Sequence, residues 1–129
     1  MERDSSTRKS LILVVDDELS LTDLMKDILE PMDYRVLTAA SGEEAVALYG
    51  QNREEVDLVV LDLIMPGMGG GAAFNALRAM NPELKIILSS GLGADGEVRR
   101  ILEKGCSGFI QKPFRMAKFS ATVQEVLEK

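Results

Sequence analysis

The sequence contains no histidine and no tryptophan, and only one cysteine, Cys106. Without histidine the chain cannot build a Ser-His-Asp or Cys-His catalytic site, a zinc site of the usual kind, or a phosphohistidine of its own. Phosphoryl chemistry here would have to draw its phosphoryl group from another protein or a small molecule. A single cysteine excludes an internal disulfide and disfavours a thiolate metal site; Cys106 reads as a small buried residue. Long apolar runs are missing as well: stretches such as Leu11–Val15 fall far short of the ~20 residues that cross a bilayer. Basic excess is also lacking, with 15 Lys and Arg against 21 Asp and Glu, a net charge of -6. Direct contact with nucleic acid or an anionic membrane is therefore not expected. Met1–Ser10 is polar, with no apolar signal core, which points to a cytoplasmic protein.

What remains is 129 residues, 46% of them hydrophobic and 28% charged, a single domain able to bury about two-thirds of its unfolded surface. Residues 1–9 read as a flexible leader or linker, and residues 10–129 as the domain. Five strand-length apolar runs, Leu11–Val15, Tyr34–Thr38, Asp57–Leu61, Lys85–Ser89 and Gly108–Gln111, alternate with stretches of helix length. The helical stretches are Leu19–Glu30, Glu43–Gly50, Ala72–Met80, Gly96–Lys104 and Met116–Glu128. The first, third and fourth strands carry continuous runs of Leu, Ile and Val rather than an alternating pattern, the mark of a parallel sheet covered on both faces. Five strand–helix units predict an α/β, doubly wound, flavodoxin-like (βα)5 domain with a parallel sheet in the order 2-1-3-4-5.

The carboxyl ends of these strands carry the polar residues. Strand 1 runs into Asp16-Asp17-Glu18, strand 3 into Asp62, strand 4 into Ser90 and strand 5 into Lys112-Pro113. Strands 1 and 3 flank the topological switch point, where ligands settle in open α/β sheets. A lone Asp-Asp after a strand more often caps a helix than binds metal; its combination with Asp62 and Lys112 changes the reading. Converging carboxylates repel one another and attract a cation, and an all-oxygen set selects a hard ion, Mg²⁺ with Mn²⁺ as a substitute. A carboxylate beside such an ion can attack phosphorus and form an aspartyl phosphate.

In this order V-V-D-D-E (Val14–Glu18), D-L-I-M-P-G-M (Asp62–Met68), S-S-G (Ser89–Gly91) and K-P-F (Lys112–Phe114) resemble the receiver domain of bacterial two-component response regulators. The resemblance implies that Asp62 is the phospho-acceptor. It makes Asp17 and Asp62 direct metal ligands, with Asp16 acting through water and Ile64 giving its backbone carbonyl. Ser90 then serves as switch hydroxyl, Phe109 as switch aromatic, Lys112 as the phosphate-sensing cation, and Lys112–Pro113 as a cis peptide. The implied donor is a histidine kinase or its phosphohistidine domain. The implied output partner binds the face formed by the fourth helix, fifth strand and fifth helix, and the phosphoryl group is lost by slow self-hydrolysis rather than enzymatic turnover. The S-S-G and G-F-I-Q-K-P-F segments resemble receivers fused to hybrid sensor kinases.

Three departures from the family pattern stand out. Gly69 replaces the usual polar residue, so the third helix loses a cap. The segment GLGADGE (residues 91–97) predicts a loosely tethered fourth helix, and apolar Ile64 and Leu92 are expected to shield the phosphoryl group from water. Two other functions compete. A Mg²⁺-dependent aspartyl-phosphate phosphohydrolase would carry a second Asp where Ile64 stands. A docking module that is never phosphorylated would not need Asp17, Asp62, Ser90 and Lys112 together.

Overall fold

The computed structural model describes residues 9–65, 67–91 and 96–129. Its elements run β1 (Leu11–Val15), α1 (Leu19–Leu29), a 3-10 turn (Glu30–Met32), β2 (Arg35–Ala39), α2 (Gly42–Gln51), β3 (Val56–Asp62), α3 (Gly69–Met80), β4 (Lys85–Ser90), α4 (Gly96–Glu103), β5 (Gly108–Gln111) and α5 (Met116–Leu127). The strands form one sheet in the order β2-β1-β3-β4-β5, all pairings parallel. This is the predicted flavodoxin-like topology. Among the described residues, no helix is long and apolar enough to cross a membrane.

The unbroken apolar runs become the central strands because each of their faces meets helices. Alternate residues divide between two cores. Leu11, Leu13, Val59, Leu61, Ile86 and Leu88 pack with Tyr49, Phe74 and Leu77 on one face. Ile12, Val14, Leu58, Val60 and Ile87 pack with Met25, Leu29, Phe119 and Val123 on the other. Edge strand β2 is only partly buried. Cys106 is half-buried rather than buried, its Sγ donating to Gly108 O at 3.4 Å.

Every observed bound but the start of α3 lies within a residue of expectation. Helix α1 stops at Leu29, and a 3-10 turn carries Pro31 into Asp33, whose φ of 76° ends it. Proline lacks the N–H a continuing helix would need and restricts the residue before it. Helix α2 opens on Ser41, whose Oγ accepts from Glu44 N at 3.0 Å, while Glu44 Oε1 accepts from Ala40 N at 2.8 Å; this reciprocal pair caps the helix firmly. Arg78 stitches the end of α3 to its surroundings through the carbonyls of Pro82, Leu84 and Gly105.

Helix α3 begins at Gly69, three residues earlier than predicted, and has no side-chain cap. Glycine is a poor helix former, so tertiary fit decides here. A Cβ on Gly70 would collide with Leu63 Cα and come within 2.5 Å of Asp62 O. Only glycine lets the helix start sit directly on the end of β3, where Gly70 N donates to Leu63 O at 3.1 Å. Replacing Gly70 by Ala is predicted to cost about 2–4 kcal/mol by forcing helix and strand apart. A chemical-denaturation curve coincident with wild type would contradict this packing.

Candidate functional site

Parallel strands all point the same way, so the residues just past β1, β3, β4 and β5 meet at one edge. Val15 pairs with Leu61 in the register, which makes Asp16 and Asp62 neighbours. Asp16 and Asp62 are buried, 1% and 3% exposed, while Asp17 is exposed. Each of the three offers an oxygen within 4.8 Å of the others. Asp16 is oriented by its own turn, with Oδ1 accepting from Glu18 N at 2.9 Å. Asp62 is held by the loop that follows it, with Oδ1 accepting from Ile64 N at 3.3 Å.

Lys112 lies past β5, two strands and about 10 Å from β3, so its long stem must cross the end of β4. That strand ends in Ser89-Ser90 and is followed by Gly91, residues small enough to leave a passage. The ammonium reaches both buried carboxylates, 2.7 Å from Asp16 Oδ2 and 3.4 Å from Asp62 Oδ1. The Lys112–Pro113 bond is cis, as predicted. Ser90 is fully buried, and its carbonyl accepts from Lys112 N at 2.9 Å. Phe109 is partly buried against the α4 side of the core, and Ile64 is 51% exposed beside the acidic cluster. Leu92 lies outside the described residues, as do residues 92–95 of the GLGADGE segment.

The electrostatics follow from burial. Loss of hydration raises the Asp62 pKa from 3.8 to about 6, with the Asp16 charge adding to the rise and Lys112 and the Ile64 N–H opposing it. Burial pulls the Lys112 ammonium down, but its hydrogen bond to Asp16 and the charges of Asp62 and Asp16 outweigh that, leaving it above its usual value. Asp16 Oδ2 faces the Lys112 ammonium at 2.7 Å and has no other donor among the described residues. Two buried carboxylates sharing one ammonium, with a third carboxylate within reach and no histidine or cysteine in the group, suit a hard divalent cation.

One contributor escaped the sequence. Glu43, in the first turn of α2, accepts from Met68 N at 3.2 Å with Oε2. The Ser-Gly-Glu-Glu run marks a helix start, but nothing in its spacing reveals a reach across to the loop after β3.

A doubly wound parallel sheet with a half-buried lysine clasping two buried carboxylates at its switch point defines an acidic-pocket α/β domain of the receiver class. The chain belongs to the response regulator receiver domain family, which it matches over residues 12–124. It is 36% identical to the chemotaxis protein CheY of Listeria monocytogenes, over 92% of this chain and 95% of that one. It is also 36% identical to the sensor kinase CckA of Brucella abortus over 92% of this chain, but spans only 12% of CckA's length. Among solved structures it superimposes on the CheX–CheY–BeF3–Mg²⁺ complex of Borrelia burgdorferi with a TM-score of 0.90 at 31% identity, covering 98% of this chain and 96% of that one.

The Asp62 shift has a consequence for stability. Its folded pKa of about 6 exceeds the ordinary 3.8, so between those values the folded protein binds more protons than the unfolded one and stability falls as pH rises. Above about pH 6 the full cost of the ionised, buried carboxylate is present. Metal-free Asp62→Asn is therefore predicted to exceed wild type by about 1–3 kcal/mol at pH 7.5, the gain shrinking toward pH 4. Denaturation curves showing no gain at pH 7.5 would contradict the assignment.

Proposed function

We propose that this chain is a cytoplasmic signalling switch in which Asp62 accepts a phosphoryl group from the phosphohistidine of a partner histidine kinase. The clasp of Lys112 on both Asp16 and Asp62 carries this reading. An Asp62 oxygen forms a bond to phosphorus as the donor's P–N bond breaks, and the departing imidazole takes up a proton. The Ile64 N–H and Lys112 both act on Oδ1 and so set the rotation of the carboxylate before the donor arrives. Positioning of this kind, with fixed charge facing the transferred group, is the main catalytic resource of phosphoryl transfer.

Asp17, Asp62 and the Ile64 carbonyl would hold Mg²⁺, or Mn²⁺ in its place, with Asp16 joining through a water. When bound, the ion supplies positive charge against the phosphoryl oxygens. The CheY of Borrelia burgdorferi, solved with BeF3 and Mg²⁺, supports the reading by its likeness. Lys112 balances the charge that remains, and the Ser90 hydroxyl donates to the phosphoryl group once it arrives. Movement of Ser90, with Phe109 turning after it, shifts the population toward a second arrangement of the α4–β5–α5 face, where an output partner binds. The donor's approach is favoured by a groove of about 520 Å³ beside Lys112, walled by Leu21, Leu24, Pro113 and Phe114. Reversal is hydrolytic: water attacks phosphorus, the bond to Asp62 breaks, and phosphate leaves.

Incubation with acetyl phosphate and Mg²⁺ is predicted to add one phosphoryl group by intact mass, and Asp62→Asn to abolish the gain. An unmodified wild-type mass would favour a docking module that works without phosphorylation. Exposed Ile64 is assigned the role of hindering the attacking water. Ile64→Asn, which can hydrogen-bond that water, is predicted to shorten the phosphoryl half-life about threefold or more, on the scale of one hydrogen bond's net worth. Equal half-lives would remove Ile64 from that role.

A further inference from the structure

We infer that Glu43 is a positioning residue for the phosphoryl site: it ties the loop after β3 to α2 and so holds the Asp62 carboxylate and the Ile64 carbonyl in place. The inference rests on the reading of Asp62 and Ile64 given above. It starts from a joint built of four residues. Glu43 Oε2 accepts from Met68 N at 3.2 Å. A Cβ on Gly67 would lie only 3.3 Å from that same oxygen, and Gly67 has a φ of 77°; glycine alone supplies both the clearance and the backbone angle. On the other side, a Cβ on Gly42 would lie 3.1 Å from Met68 Sδ and 3.2 Å from Ala73 Cβ, so α2 closes on the Met68 side chain as well as on its N–H.

The two halves of this joint differ in stiffness. The start of α2 is locked by the Ser41–Glu44 pair. Among the described residues, the loop between Asp62 and α3 shows no such lock of its own. Gly69, like Gly67, has a φ of 77°, and α3 lacks a side-chain cap. Gly70 N to Leu63 O and Ile64 N to Asp62 Oδ1 close the loop at its base, while Glu43 secures its far end, at Met68, from outside. The residue that gives up a capping side chain, Gly69, is thus compensated by a carboxylate from the neighbouring helix. An ionised acceptor makes the stronger kind of hydrogen bond. Loss of the hold on Met68 would loosen the connection between α3 and the turn where Ile64 meets Asp62.

Three variants test this: Glu43→Ala removes the acceptor, Glu43→Asp keeps the charge but is one methylene too short to reach, and Glu43→Gln keeps an acceptor oxygen at full length. Amide exchange at Met68 and Gly70, read by NMR without metal, reports the brace. A Mg²⁺ titration followed by the Asp62 and Ile64 amide shifts reports the site. Glu43→Ala and Glu43→Asp are expected to speed Met68 exchange and to weaken Mg²⁺ binding about three- to tenfold, with Glu43→Gln close to wild type and the thermal midpoint little changed. Unchanged Met68 exchange would overturn the brace. Faster exchange with unaltered Mg²⁺ affinity would overturn its role at the site. A wild-type protein that takes up no Mg²⁺ would instead overturn the functional reading, and the exchange measurement would still decide whether Glu43 holds the loop.

Discussion

The Lys112 ammonium between Asp16 and Asp62 is the contact on which the site depends. Two carboxylates, 1% and 3% exposed, are costly to ionise side by side at the end of a hydrophobic sheet. One lysine 2.7 Å from the first and 3.4 Å from the second makes the pair tolerable without satisfying it. Asp62 still sits at a pKa of about 6, and Asp16 Oδ2 has no donor besides Lys112 among the described residues. A fully neutralised cluster would be a structural ion pair. This one retains negative charge, which suits a divalent cation.

The fold was largely legible because its signal is coarse. Runs such as LILVV and DLVVL have no polar face to turn toward water, so they had to be inner strands of a covered sheet. Five strand–helix units then left few permitted orders. The site was legible for the same reason: parallel topology sends every strand end to one edge, and the residues at four of those ends were polar. Elements set by tertiary fit were less visible. Local propensity argues against a helix over Gly69-Gly70-Gly71, yet α3 starts there because Gly70 must lie against the backbone of β3. The 3-10 turn through Pro31, the three carbonyls gathered by Arg78 and the reach of Glu43 to Met68 all depend on where another segment lies.

Burial also separates the two adjacent carboxylates in a way that sequence order cannot. Asp16 and Asp17 look equivalent on paper, but the first points inward to Lys112 and the second is exposed at the rim. This division matches an inner residue that sets charge and an outer one free to meet an ion. Beyond this shared machinery, the chain's own character lies in the loop after Asp62. Gly69 follows Asp62 without a capping side chain, Ile64 presents an apolar side chain at the rim, and Glu43 reaches Met68 from α2.

The central claim is that Asp16, Asp17 and Asp62 together hold a hard divalent ion next to the oxygen that accepts phosphorus. Crystals soaked in Mn²⁺ and measured for its anomalous scattering test it directly. The account predicts one dominant peak within coordination distance of Asp17, Asp62 and the Ile64 carbonyl, about 2.0–2.3 Å from their oxygens. A map without a peak there, or with Mn²⁺ held only by carboxylates elsewhere on the surface, would contradict it.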